Sequence, residues 1–162
     1  MQRECIQSRD ERYRYSLRIT WQKTRLAAVF VMLNPSTADK SRDDPTSRKC
    51  ITLADRWGFG GVILVNLFAR RATNPSDMKA LGPAARGFFN DMWIKWECEK
   101  NCARIVCAWG NHGVHRARDQ AVIALLQAEG HELWCLGINK NGTPEHPLLV
   151  PHERRPSRFI VV

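Results

Sequence analysis

Long apolar runs are missing from this chain. No stretch approaches the ~18 residues that span a bilayer, so the 162 residues predict no membrane helix. The segment Met1 to Arg14 is charged throughout and has no apolar centre, which is not how a secretory leader reads. The expected compartment is therefore a reducing cytoplasm, and the six cysteines are expected as free thiols. Cys50, Cys107 and Cys135 lie inside apolar stretches and read as small core residues; Cys5 carries no such signal. Cys98 and Cys102 are four apart and would share a helix face, but no second pair at ligand spacing completes a metal site. No zinc, iron–sulfur cluster or other cofactor is expected. Internal repeats, low-complexity tracts and linkers are absent too. Acidic residues are scarce, 16 against 25 Lys and Arg, which gives a formal net charge of +9. A basic excess of this size favours a polyanionic partner, DNA or RNA, although solubility alone is a sufficient reason for it.

What is present fits one domain, residues 1–162, long enough to bury a core without staples. Four short apolar runs stand out: 27–33, 62–67, 105–109 and 133–136. They are continuous rather than alternating, as strands covered on both faces are. Helical spacing lies between them. Asp44 reads as an N-cap with Pro45 at the first helical position, and that helix stops at Gly58. A second helix is expected over 83–100, carrying Phe88, Phe89, Met92, Trp93 and Trp96 on its apolar positions, and a third over 114–128. This alternation predicts an α/β fold: three layers, α/β/α, around a central, mainly parallel four-stranded sheet. Residues 13–21 alternate as a preliminary edge strand. Residues 137–157 form a long polar connection ending in the strand-like 159–162.

Ligands of open α/β sheets sit outside the carboxyl ends of the strands. Those ends are followed here by Asn34-Pro35-Ser36, by Asn66 with Arg70 and Arg71 beyond it, by Asn111 and His112, and by Glu145-His146-Pro147-Leu148-Leu149. Amides and imidazoles converging from distant positions are what a small pocket requires. Each has a plainer reading. Asn34-Pro35 also suits a turn, His112 a helix start, and Arg70 and Arg71 a solvated pair. Asn66 closes an apolar strand, where a buried amide must find partners, and His146 contributes nothing to a core.

The order of these motifs resembles the uracil-DNA glycosylase superfamily over roughly residues 26–150. It is closest to the mismatch-specific branch, which has Asn before Pro where the uracil-specific branch has Asp. The chain is similar as well to an uncharacterised bacterial and phage family sharing the Asn-Pro-Ser-Thr and Gly-Thr-Pro-x-His-Pro-Leu signatures. The resemblance implies a monofunctional glycosylase that flips a base out of DNA and hydrolyses its N-glycosidic bond. It implies Asn34 and His146 as the catalytic pair, one orienting water and the other stabilising the departing base. Asn66, Pro35 and Ser36 would bind the base. Leu148 or Leu149 would wedge into the duplex, and Arg70, Arg71, Arg154 and Arg155 are expected to hold phosphates. The third strand, Val106 to Trp109 followed by Gly110, also fits the family. Two departures stand out. Leu148 replaces a serine that touches DNA, and Ser36 replaces a tyrosine that excludes a methyl group at carbon 5. Room at carbon 5 suggests a modified pyrimidine, as in hypermodified phage DNA, and hence phage defence or base-excision repair. DNA is the expected partner; no membrane and no obligate protein partner are. The alternatives are a non-catalytic reader of modified DNA and a hydrolase of free nucleosides or nucleotides.

Overall fold

A computed structural model of the protein describes residues 1–100 and 102–161. Its strands are β1 (Gln2–Gln7), β2 (Arg14–Thr20), β3 (Ala27–Met32), β4 (Gly61–Asn66), β5 (Cys102–Cys107), β6 (Leu133–Cys135) and β7 (Ser157–Arg158). They form one seven-stranded mixed sheet in the order β1-β2-β4-β3-β5-β6-β7. The fold is thus mixed α/β as the sequence predicts, but the sheet has seven strands rather than four. β3 pairs in parallel with β4 and β5, and β5 with β6, while β1·β2, β2·β4 and β6·β7 are antiparallel.

The helices are α1 (Pro45–Arg56), α2 (Pro75–Lys79), α3 (Asn90–Lys100) and α4 (Arg118–Ala128). They cover both faces of the sheet, and the strand pleat divides the core between them. Ala28, Phe30, Val62 and Leu64 pack with Cys50, Leu53 and Ala54 of α1. Val29, Val31, Ile63 and Val65 pack with Ile94 and Cys98 of α3 and Val122 and Leu126 of α4. Burial on both faces explains why these strands read as unbroken apolar runs. The crossover from β3 to β4 runs over one face. Those from β4 to β5 and β5 to β6 run over the other, as right-handed connections require when the strand order reverses.

Asp44 caps α1 in a reciprocal capping box with Ser47, with Pro45 at the start, and Gly58 leaves the helix at φ +87°. Elsewhere the structure departs from expectation. β2 is not an edge strand, because β1, too polar to stand out in sequence, pairs outside it and carries the edge. The second helix begins at Asn90 rather than 83; residues 82–86 wind as a 3₁₀ turn and Gly87 breaks the chain at φ +81°. Its apolar stripe is turned outward: Phe88, Phe89, Met92 and Trp96 are exposed, and Asn90, Ile94, Glu97 and Cys98 are buried. Polar partners decide this orientation. Glu97 accepts from Ser16 at 2.6 Å and from Arg18 at 2.8 Å, and Asn90 donates to the carbonyls of Asn66 and Leu67. Cys98 ends up on α3 and Cys102 on β5, so the two share no helix face. The third helix starts at Arg118, after a kinked 3₁₀ segment, Asn111–Ala117. The terminal strand is Ser157–Arg158 rather than 159–162, and Val162 lies outside the described residues. Among the described residues, no helix is long and apolar enough to cross a membrane.

Candidate active site

Strand order fixes where a ligand can enter. The chain leaves β3 for β4 on one side and leaves β5 for β6 on the other, over opposite faces, so the loops beyond the neighbouring strands β3 and β5 part from each other. Such a switch point opens a crevice at the carboxyl edge of the sheet. A cavity of about 560 Å³ lies there, lined by the loop after β3, the end of β4, the turn after β5 and the segment 139–149. A smaller cleft of about 430 Å³, lined by Gln2, Glu4, Arg18, Thr20, Gly60 and Gly61, sits at the opposite edge and gathers no amide cluster comparable to this one.

Asn34, Pro35, Ser36, Asn66, His146, Leu148 and Leu149 all line the larger cavity, together with Asn111 and His112. Asn34 Nδ2 donates to Ala72 O at 2.8 Å and to Pro35 O at 3.2 Å. Two carbonyls on one side fix the amide's orientation and leave Oδ1 as its unclaimed acceptor among the described residues. Asn66 is 1% exposed, and its Nδ2 has no hydrogen-bond partner among the described residues. Its main chain is held firmly: Asn90 Nδ2 reaches Asn66 O at 2.8 Å, and Arg118 Nε reaches the next carbonyl, Leu67 O, at 2.7 Å. Arg118 is in turn paired with Asp91.

His146 precedes a 3₁₀ turn, Pro147–Leu149, and its Nδ1 accepts from Leu148 N at 3.2 Å. That bond places the proton of the neutral ring on Nε2. Burial pushes the imidazole below its ordinary pKa, against the opposing pull of Asp44. Leu148 and Leu149, 50% and 71% exposed, stand at the mouth, while Pro147 and Val150 are buried beneath them. Lys49 donates to Val150 O and ties this segment to α1. Gly110 sits at φ +77°, where a Cβ would stand 3.7 Å from the His146 Cβ, and its N–H donates to Pro144 O. Trp109 forms part of the wall. A Cβ on Gly113 would stand 2.0 Å from its indole, so only glycine fits there.

The predicted phosphate ligands are not in this cavity. Arg71 turns inward to Gln7 Oε1 at 2.8 Å and to the carbonyls of Ser36 and Ala38, so it braces the loop after β3. Arg70 lies over the Tyr13 ring. Arg154 is bound to Leu136 O and to Glu145, and Arg155 lines a separate groove with Arg56 and Trp57. At the rim, Lys79 Nζ lies 2.9 Å from His112 Nδ1. Of the acidic residues following Asn34, Asp43 pairs with Arg3 at 2.6 Å and Asp39 accepts from Ser41 and Arg42. Asp44 alone lines the cavity, with its oxygens taken by Ser47 N and Ala38 N. No group of three or more His, Cys, Asp or Glu that could hold a metal occurs among the described residues.

Sequence reasoning missed Arg14, Trp109 as a wall residue, Asn139 and the supports Asn90 and Arg118. Asn139 carried a usable signal, since it follows the fourth strand as Asn34, Asn66 and Asn111 follow the others. No curated protein and no solved structure gives a significant match to the chain. A family model described as "Protein of unknown function (DUF1643)" matches residues 14–148, a span that takes in β2 and every cavity segment up to Leu148. The chain therefore belongs to the DUF1643 family.

Proposed function

We propose that the protein is a monofunctional DNA glycosylase that hydrolyses the N-glycosidic bond of a flipped-out, 5-substituted pyrimidine. The observation that carries this reading is the buried, unpartnered Nδ2 of Asn66 in a cavity that also holds Asn34 and His146. An unmade hydrogen bond of this kind costs about 1–3 kcal/mol. A base edge with an acceptor at that position satisfies it, and the cavity has the size of a small-ligand pocket. The order of motifs shared with the uracil-DNA glycosylase superfamily supports the same assignment, as do a sheet and helix arrangement compatible with that three-layer fold.

The steps follow from the side chains. Leu148 and Leu149, exposed on a short rigid turn, fill the stack when the nucleotide leaves it. Asn66 reads the base. As the bond breaks, charge grows on the base oxygen, and His146, neutral and protonated on Nε2, donates to it without carrying a charge of its own. A donor placed at developing charge is worth about 3 kcal/mol. Asn34 Oδ1 holds the water that attacks the sugar carbon. It takes no proton, so its contribution is positional; the proton lost by the water once it bonds to the sugar carbon neutralises the departed base anion. No lysine lines the cavity among the described residues, which fits direct hydrolysis rather than a Schiff-base route with strand cleavage. The half-buried Ser36 in place of a bulky ring leaves space at carbon 5.

The test is a panel of duplexes carrying uracil, thymine mispairs or bulky 5-substituted pyrimidines, incubated without metal and developed with alkali to reveal abasic sites. Cleavage that vanishes in Asn34→Ala and His146→Ala is the expected result. Tight binding with every base retained favours a non-catalytic reader of modified DNA. Neither binding nor cleavage, with activity on nucleosides instead, moves the reaction to free substrates.

A further inference from the structure

Arg14 is the residue in the cavity wall that the proposed chemistry leaves without a role. It is 3% exposed, and no carboxylate comes within ion-pair distance of it among the described residues. Its presence there depends on an irregularity in β2. The β1·β2 ladder pairs Ile6 with Ser16 and Gln7 with Arg14, so Tyr15 is an extra residue. Ser16 faces Glu97 of α3, and Tyr15 packs edge-on against Phe89 on the same side. The bulge thereby returns Arg14 to the opposite face, where its Nη1 reaches Ala38 O at 2.8 Å and its side chain joins the wall with Met32, Pro35 and Asp44. Bulges are common at sheet edges and beside active sites, where they re-aim a side chain, and this one lies in the edge pair and turns Arg14 into the cavity.

The electrostatics there are unbalanced. Arg14 Nε is buried without an acceptor among the described residues, and Arg71 beside it donates to the same Ala38 carbonyl. Asp44 and Asp39 are the nearest acids, and each is already engaged by backbone amides. Burial first, then Arg71, lowers the Arg14 guanidinium to about 10, so it remains charged at neutral pH. A buried cation whose nearest carboxylates stand beyond ion-pair contact, with their oxygens held by other groups, is unfavourable until a directly bound anion completes it.

We propose that Arg14 makes the inner wall of the cavity a subsite for an anionic group of the substrate, a carboxylate or phosphate held by the guanidinium fork. The assignment deepens the base-binding reading and rests on it for the position of the ring. Arg14 and Arg71 both grip the loop that contains Ser36, the residue assigned to carbon 5. The anion accordingly belongs on the 5-substituent, and the room beside carbon 5 is room for a charged group.

Titration calorimetry with nucleosides and inorganic phosphate tests this on the intact protein. The probes are thymidine, 5-carboxymethyl-2′-deoxyuridine with the charge on the base, and dUMP with it on the 5′-phosphate. Wild type is expected to bind the 5-carboxymethyl compound at least about tenfold more tightly than thymidine, a difference of about 1.4 kcal/mol. Arg14→Gln should erase the preference and Arg14→Lys retain part of it, since lysine keeps the charge but not the fork. A preference for dUMP instead, also lost in Arg14→Gln, supports the subsite but moves the anion to the sugar phosphate. Equal binding of charged and neutral nucleosides to wild type overturns the subsite while leaving base binding intact, and needs no variant to fold. Arg14-dependent phosphate binding without any nucleoside binding keeps the subsite and overturns the base reading.

Discussion

Asn66 and Arg14 share one property: each is buried in the cavity wall with a donor that nothing among the described residues accepts. A structural role predicts that such donors are useful to stability, whereas a binding role predicts the reverse. Asn66→Leu separates the two, because the replacement is close in size and the strand end stays fixed through main-chain oxygens held by Asn90 and Arg118. Removing the unpaired amide should raise stability by about 1 kcal/mol, or about 2–4 °C in a thermal melt for a chain of this size. The same substitution should lower base release by about a hundredfold or more. A loss of both stability and activity would make Asn66 a structural residue. The amides and His146 were legible in sequence because each follows the end of a strand, where an open α/β sheet exposes side chains to ligand. Arg14 was not. An arginine in an alternating strand reads as solvent-facing, and nothing in the neighbouring residues announces the bulge that turns it inward. Arg70 and Arg71 misled for the opposite reason: adjacency to Asn66 in sequence places them near the rim, but main-chain carbonyls and the Tyr13 ring claim them.

At the scale of elements, the Pro147–Leu149 turn joins recognition to catalysis through one bond, Leu148 N to His146 Nδ1. Protonating the ring removes that acceptor and sets two N–H groups against each other, so the turn and its exposed leucines should loosen together. Because burial places the folded pKa below the ordinary value of about 6.5, the sign is determined. The stability contributed by the neutral ring is complete above the unfolded value and is lost as pH falls through the folded one. A pH profile of base release should therefore be flat through neutrality and decline only below the ordinary histidine range. His146→Gln donates without titrating and should flatten that acid limb at a lower overall rate, whereas an unchanged limb assigns it elsewhere. The core strands and α1 could be read from the sequence because double burial and capping each leave a local pattern. The face of α3 could not. Its aromatic residues suggest an inward stripe, and only the partners waiting on β2 and β4 for Glu97 and Asn90 show that the helix is turned the other way.

For the whole molecule the charge of +9 is a poor guide to how DNA would be held. If every excess charge met a phosphate, the logarithm of affinity would fall against that of salt with a slope of about −8. The folded chain spends many of its cations internally. Arg14 and Arg71 hold the loop after β3, Arg118 the end of β4, and Arg154 the carbonyl of Leu136. The face that presents Leu148, Leu149, His112 and Lys79 should accordingly make few phosphate contacts, and its specificity should come from the cavity. Measured by anisotropy with a labelled duplex between 50 and 200 mM salt, the slope is expected to lie near −2 to −4, about two to four phosphates. A slope near −8 would mean that a basic surface away from the cavity dominates binding. A slope near zero, with no loss of affinity on adding salt, would remove DNA as the partner and leave the free nucleotide as the substrate.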